Sequence, residues 1–120
     1  MVIVDTSVWV AHLRAGQPLL RELLQNTQVM VHDFIVGELA CVNLKNRREI
    51  VALLESLPRA PRLSQEEILY FIEHHFLMGR GLGLVDMHLL ASAQLSGTPL
   101  WTLDRPLGDA AARLKIFYHS

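Results

Sequence analysis

The chain has 120 residues with 11 basic and 12 acidic side chains, and its net charge of −1 gives no global attraction to nucleic acid. One cysteine, Cys41, excludes an internal disulfide framework and any paired-cysteine zinc site, and points to a reducing cytoplasm. Hydrophobic residues make up 51% of the chain, the upper edge of globular usage, which suggests that some apolar surface lies in an interface such as a homodimer.

Read in order, the chain alternates short apolar strands with helices. It opens with MVIVD, which lacks the basic and long apolar stretches of a signal peptide, so none is expected. Nor does any apolar run approach the roughly 18 residues of a membrane span. Val2-Ile3-Val4 is a fully apolar, β-branched run, the pattern of a strand buried on both faces. A helix from about Ser7 to Arg14 is broken at Gly16, and Pro18 opens another through Gln25. Val29 to Val31 is a second strand. Asp33 is expected to cap a helix over Phe34–Asn46, and a further helix runs from Arg47 to Ser56 before Pro58. A strand is placed near Leu63. Ser64-Gln65-Glu66-Glu67 has the form of a capping box, opening a helix through about Met78. After a loop with Gly79, Gly81 and Gly83, a helix spans Leu84–Leu95 and stops at Gly97. Pro99–Leu103 is a strand, Leu107–Leu114 a short helix and Ile116–Tyr118 a last strand. The alternation predicts an α/β fold with a mainly parallel sheet, in a single domain over residues 1–120.

In open α/β sheets, ligands gather at the carboxyl ends of the strands. Asp5 directly follows the first strand, and Asp104 follows the Pro99–Leu103 strand. Glu38 shares its helix face with Phe34, Ile35, Cys41 and Val42, and Asp86 shares its face with Leu89, Leu90 and Ala93. Both acids are therefore expected to face the core. Singly, Asp5, Asp86 and Asp104 can be read as helix-end or turn residues; Glu38 has no such local use. Four acids in apolar surroundings repel unless a cation joins them, and Mg²⁺ or Mn²⁺ suits an all-oxygen ligand set. Thr6, Ser7 and Thr102 adjoin the acids and are candidate hydrogen-bond donors to a metal-held water, with capping and packing as the alternative.

Four segments carry a resemblance: MVIVDTSVWV, VGELA around Glu38, GLGLVDMHLLASAQ around Asp86, and PLWTLDRPL around Asp104. In this order and spacing the chain resembles the PIN-domain nucleases, and among them the VapC-type toxins of toxin–antitoxin pairs. The resemblance covers essentially the whole chain. It implies a PIN-like fold, a parallel sheet flanked by helices, with Asp5, Glu38, Asp86 and Asp104 as catalytic metal ligands. It also implies hydrolysis of RNA phosphodiester bonds, inhibition by a cognate antitoxin protein, and a homodimer.

Among other residues, Arg14, Lys45, Arg47, Arg48, Arg80 and Arg105 are candidate contacts to RNA phosphates, with a solvated helix end as the commoner use of such side chains. His74 and His75 are expected at the surface, and His12, His32, His88 and His119 lack zinc-ligand spacing. Cys41 is expected to pack in the core, as are Trp9 and Trp101. Three rival readings place other demands on the sequence. A receiver-like phosphoacceptor needs a second acid beside Asp5 and an acceptor Asp in mid-chain; a dehalogenase-like phosphatase needs Asp where Ser7 stands. A silent PIN-fold binding protein would not need the intact acid set.

Overall fold

The computed structural model describes all 120 residues. The elements in chain order are β1 (Val2–Val4), α1 (Thr6–Ala15), α2 (Pro18–Gln25), β2 (Val29–Met30), α3 (Asp33–Ala40), α4 (Arg47–Ser56), α5 (Gln65–His74), α6 (Leu84–Ser96), β3 (Leu100–Trp101) and α7 (Arg105–Arg113). The sheet is parallel with order β2-β1-β3. Val2 pairs with Val29, and Ile3 with Met30 on one side and Leu100 on the other. Parallel bridges from Val31 to Arg59 and from Leu100 to Phe117 widen it at both edges.

β1 is central, which is why all three of its residues are apolar and buried. Its parallel neighbours are reached by helical crossovers, and these cover the sheet. α6 is the innermost helix: Met87 to Ala93 are buried without interruption, so its apolar residues run around the helix and not along one stripe. The core joins β1, Val8 and Trp9 of α1, Ile35 and Leu39 of α3, Ile68 and Phe71 of α5, and Leu107, Ala110 and Ala111 of α7. Trp9 and Trp101 are buried within it, as expected.

Several element ends differ from expectation for local reasons. α3 stops at Ala40, six residues before the expected Asn46, because Arg47 Nε reaches back 3.1 Å to the Ala40 carbonyl and satisfies the helix end. The cap of α3 is His32, whose Nδ1 accepts from Phe34 N–H at 3.0 Å; Asp33 lies inside the first turn and pairs with Arg59 at 2.7 Å. The strand placed near Leu63 is instead the Arg59 bridge, and the last strand shrinks to the contact at Phe117. β3 is confined to two residues because Asp104 caps α7 from Leu107 N–H at 3.1 Å, starting that helix two residues early at Arg105. Cys41 is exposed beyond the shortened α3, not packed in the core.

The capping box at Ser64 forms as read, with Glu67 N–H on Ser64 Oγ at 3.1 Å and Ser64 N–H on Glu67 Oε1 at 2.8 Å. At its other end α5 stops at His74, short of the expected Met78, because Phe76 turns left-handed at φ 52° and Leu77 N–H bonds back to the Ile72 carbonyl. Phe76 is 65% exposed, so little packing holds it there. Gly97 makes the same turn after α6 at φ 64°, where an added Cβ would meet no atom within 4 Å. The two positions predict opposite outcomes. Phe76→Gly should raise stability by up to about 1 kcal/mol, and Gly97→Ala should lower it by about 1 kcal/mol. Urea denaturation midpoints at constant m-value check both.

Candidate active site

Asp5, Asp86 and Asp104 are placed by strand or helix ends at one edge of the sheet. Asp5 leaves β1 with its backbone N–H still on the Trp101 carbonyl of β3 at 2.9 Å. It stands at the N-cap position of α1 but makes no side-chain cap bond. Its carboxylate is instead engaged across the sheet: Oδ2 accepts from Ser7 Oγ and from Thr102 Oγ1, each at 2.7 Å. Asp5 is 7% exposed. Ser7 Oγ also accepts from Leu103 N–H at 3.0 Å, and Thr102 Oγ1 from Asp104 N–H at 3.0 Å. The two hydroxyls thus tie the Asp5 carboxylate to the backbone that delivers Asp104.

Glu38 departs from expectation. It is exposed, as are Cys41 and Val42, and of its named neighbours only Ile35 is buried. The helix turns its apolar side elsewhere, through Ile35 and Leu39. Glu38 still meets the other acids' segment, because Thr6 Oγ1, at the start of α1, donates to Glu38 Oε1 at 2.7 Å. Asp86 is half-buried above Leu89, Leu90 and Ala93, all buried as expected. Its Oδ2 accepts from Gly83 N–H at 2.9 Å. Asp104 is exposed and caps α7.

The electrostatics show that the four acids share one field. Burial raises the pKa of Asp86; the Gly83 N–H opposes this, and the charges of Asp5, Asp104 and Glu38 raise it further. No three acidic, histidine or cysteine side chains close on a common point at ligand distance. Each is held separately, by Ser7 and Thr102, by Thr6, by Gly83 N–H and by Leu107 N–H. The donor set is entirely oxygen. That chemistry fits a hard divalent cation and not zinc or another thiophilic ion.

The basic candidates divide between two flanks. Arg80 and Arg105 line one cavity together with Arg113, which the sequence reading did not single out. Arg14 and Lys45 line a separate groove beyond Glu38, with Val10, Leu13 and Val42. Arg47 is engaged by the end of α3, and Arg48 is exposed.

Sequence reasoning also missed a histidine pair, since its members lie 56 positions apart. His32 and His88 are buried with ring centroids 6.0 Å apart. Phe34 stands edge-on to His88 at 4.7 Å, and the Arg62 guanidinium covers the other face of this group, 4.7 Å from the Phe34 ring. This stack joins α3 to α6, the helices that carry Glu38 and Asp86. His32 Nε2 and His88 Nδ1 find no hydrogen-bond partner. Because His32 Nδ1 accepts a hydrogen bond from Phe34 N–H, the neutral ring carries its hydrogen on Nε2.

Burial, then the neighbouring His88, lowers the His32 pKa to about 4; Asp33 raises it and Arg62 lowers it. Burial and Arg62 lower that of His88 too. A histidine kept neutral by the fold takes up its proton more readily when unfolded. Its contribution to stability is therefore complete above pH 6.5 and is lost as pH falls from 6.5 to about 4. The loss from His32 should be on the order of 3 kcal/mol, from about 1.4 kcal/mol per pKa unit. His32→Asn, which keeps a capping side chain without the titration, should flatten that slope in thermal melts across the window. An equal slope in the variant would show that other groups set it.

Comparison with known proteins adds family to geometry. The family model for the PIN domain matches residues 2–112. Two curated relatives, each named Ribonuclease VapC32, from Mycobacterium tuberculosis strains CDC 1551 / Oshkosh and ATCC 25618 / H37Rv, are 42% identical over 113 residues, spanning 93% of this chain and 91% of theirs. Among solved structures, that of PAE2754 from Pyrobaculum aerophilum superposes with a TM-score of 0.64 at 18% identity. It covers 95% of this chain and 88% of that one, a likeness of fold alone.

Proposed function

Since this chain belongs to the PIN-domain family, among its VapC-type ribonucleases, we propose that residues 1–120 form a single PIN-like nuclease domain that hydrolyses RNA phosphodiester bonds with Mg²⁺ or Mn²⁺. In the cell it is the toxin of a toxin–antitoxin pair, cytoplasmic and homodimeric. The observation that carries the reading is the shared field of Asp5, Glu38, Asp86 and Asp104 at one edge of the sheet.

These four acids would hold the cation. When bound, it supplies water activation and charge neutralisation for phosphodiester hydrolysis. The chain's own groups prepare the place. Ser7 and Thr102 donate to Asp5, fixing its direction through the Leu103 and Asp104 backbone. Thr6 fixes Glu38 from the first turn of α1. Burial and the other three acids oppose the negative charge of Asp86, so added positive charge would relieve it. The N-termini of α1, α6 and α7 start at this edge, and their dipoles favour the carboxylates and a phosphate.

The test is direct. Asp5→Asn and Asp86→Asn should each lower Mn²⁺-dependent cleavage of RNA by a hundredfold or more, an order typical of losing a key electrostatic group. Far-UV circular dichroism should be unchanged, and metal-free Asp86→Asn should be at least as stable as the parent because one repulsive charge is gone. Full activity in either variant at sub-millimolar Mg²⁺ would refute the assignment.

The antitoxin neutralises by laying a segment over the same edge and presenting an arginine or lysine to the four acids. A guanidinium satisfies two carboxylate oxygens at once. Cation and antitoxin then compete, and linkage makes the effect reciprocal. Calorimetric titration of the antitoxin segment should show affinity falling as Mg²⁺ rises; an affinity flat across metal concentration would put the segment elsewhere.

A further inference from the structure

Beside the acid edge lies a cavity of about 440 Å³ lined by Gly79, Arg80, Arg105, Pro106, Asp109 and Arg113, among others. It holds three guanidinium groups and one carboxylate. None of the three is in an ion pair; the chain's two pairs are Arg59 and Arg62 on Asp33. Arg80 is anchored by its own loop, Nε donating to the Phe76 carbonyl at 2.8 Å, which leaves its terminal nitrogens unengaged. Arg113 is in the last turn of α7, where a cation suits the helix dipole. Arg105 has no such local reason: it opens α7, where the dipole disfavours positive charge. A concentration of positive charge in a chain of net charge −1, partly against helix preference, suits an anion.

Continuity selects the anion. A second cavity, lined by Thr102, Leu103 and Asp104, also contains Arg105 and Asp109. The two cavities share these residues, so Asp104, one of the four acids, borders the same continuous surface as the three arginines. Both elements bordering the arginines also lead to acids: Arg105 follows Asp104, and Arg80 precedes by three positions Gly83, whose N–H holds Asp86. A polyanion lying along this path would meet the cation site and the guanidinium groups in turn.

We propose that Arg80, Arg105 and Arg113 form a binding site for a phosphodiester group of the RNA strand, one flanking the bond that is cut. The inference rests on the nuclease reading. It adds Arg113, and it assigns strand binding to this flank and not to the groove of Arg14 and Lys45. Guanidinium forks match phosphate oxygens in pairs, and such contacts set position on the strand without reading its sequence.

A fluorescent single-stranded RNA oligonucleotide of mixed sequence, in EDTA to prevent cleavage, is the probe. Phosphate contacts are independent of sequence, so this probe is sufficient. Anisotropy should show each of Arg80→Gln, Arg105→Gln and Arg113→Gln weakening binding about tenfold at low salt, while the charge-matched Arg21→Gln changes it little. The triple variant should lose about 2 from the slope of log affinity against log salt, at about 0.7 per contact. Absence of binding by the parent, or a triple variant matching Arg21→Gln in affinity and slope, would overturn the site. So would binding of polyglutamate as tight as the oligonucleotide and lost with the same arginines, which would mark an acidic protein segment as the ligand. Cleavage of RNA with Mn²⁺, measured in parallel, separates the two readings. Arginine-dependent binding without cleavage supports the site and refutes the nuclease, whereas cleavage that is unchanged in the triple variant refutes the site alone.

Discussion

Two hydroxyl groups on one carboxylate oxygen hold this molecule's chemistry in register. Asp5 Oδ2 accepts from Ser7 and from Thr102, a residue 97 positions away, and the same hydroxyls accept from the backbone leading to Asp104. A buried carboxylate unpaired with a cation side chain is costly. Here the cost is offset by hydrogen bonds that also lock the exits of β1 and β3 together. The remaining acids can then be held more loosely, Glu38 by one hydroxyl and Asp86 by one amide, because the edge they face is already fixed.

The sequence carried β1, and Asp5 as the residue that leaves it, clearly because both signals are local. Val2-Ile3-Val4 followed by Asp5 is a buried strand with a polar exit, and the fold places it at the centre of the sheet. The capping box at Ser64 is a four-residue pattern and forms as such. What failed depended on contacts that residue spacing does not encode. Glu38 reads as core-facing by helical spacing, yet α3 rotates so that Ile35 and Leu39 take the interior and Glu38 meets Thr6 from outside. Spacing gives a face relative to its neighbours; the fold decides which face is covered. The end of α3 depends on Arg47 reaching back, and the cap on His32, neither of which a propensity pattern encodes.

The humbler uses of the acids turn out not to compete with their candidate chemistry. Asp104 does cap α7, and Asp86 does accept a bond from the start of α6. Each of these carboxylates keeps a local hydrogen-bond donor, and none has a cation side chain beside it. Asp5 is the exception that distinguishes the site, since it stands at a cap position and spends its carboxylate across the sheet instead. Behind the acids, the buried pair His32 and His88 joins the two helices that bring Glu38 and Asp86, with two ring nitrogens left unpartnered.

The long sequence reach of the Asp5 network also sets a timetable. A chain emerging from the ribosome presents β1 first, but Thr102, Asp104 and the Leu107 amide come last, with β3 and α7. Folding during synthesis proceeds from the N-terminus, yet the acid edge stays unassembled until β3 and α7 have followed β1 out of the exit tunnel. Until they do, Asp5 has neither the Thr102 hydroxyl nor its tie to the backbone of Asp104, so the acids stand apart through the earlier part of synthesis.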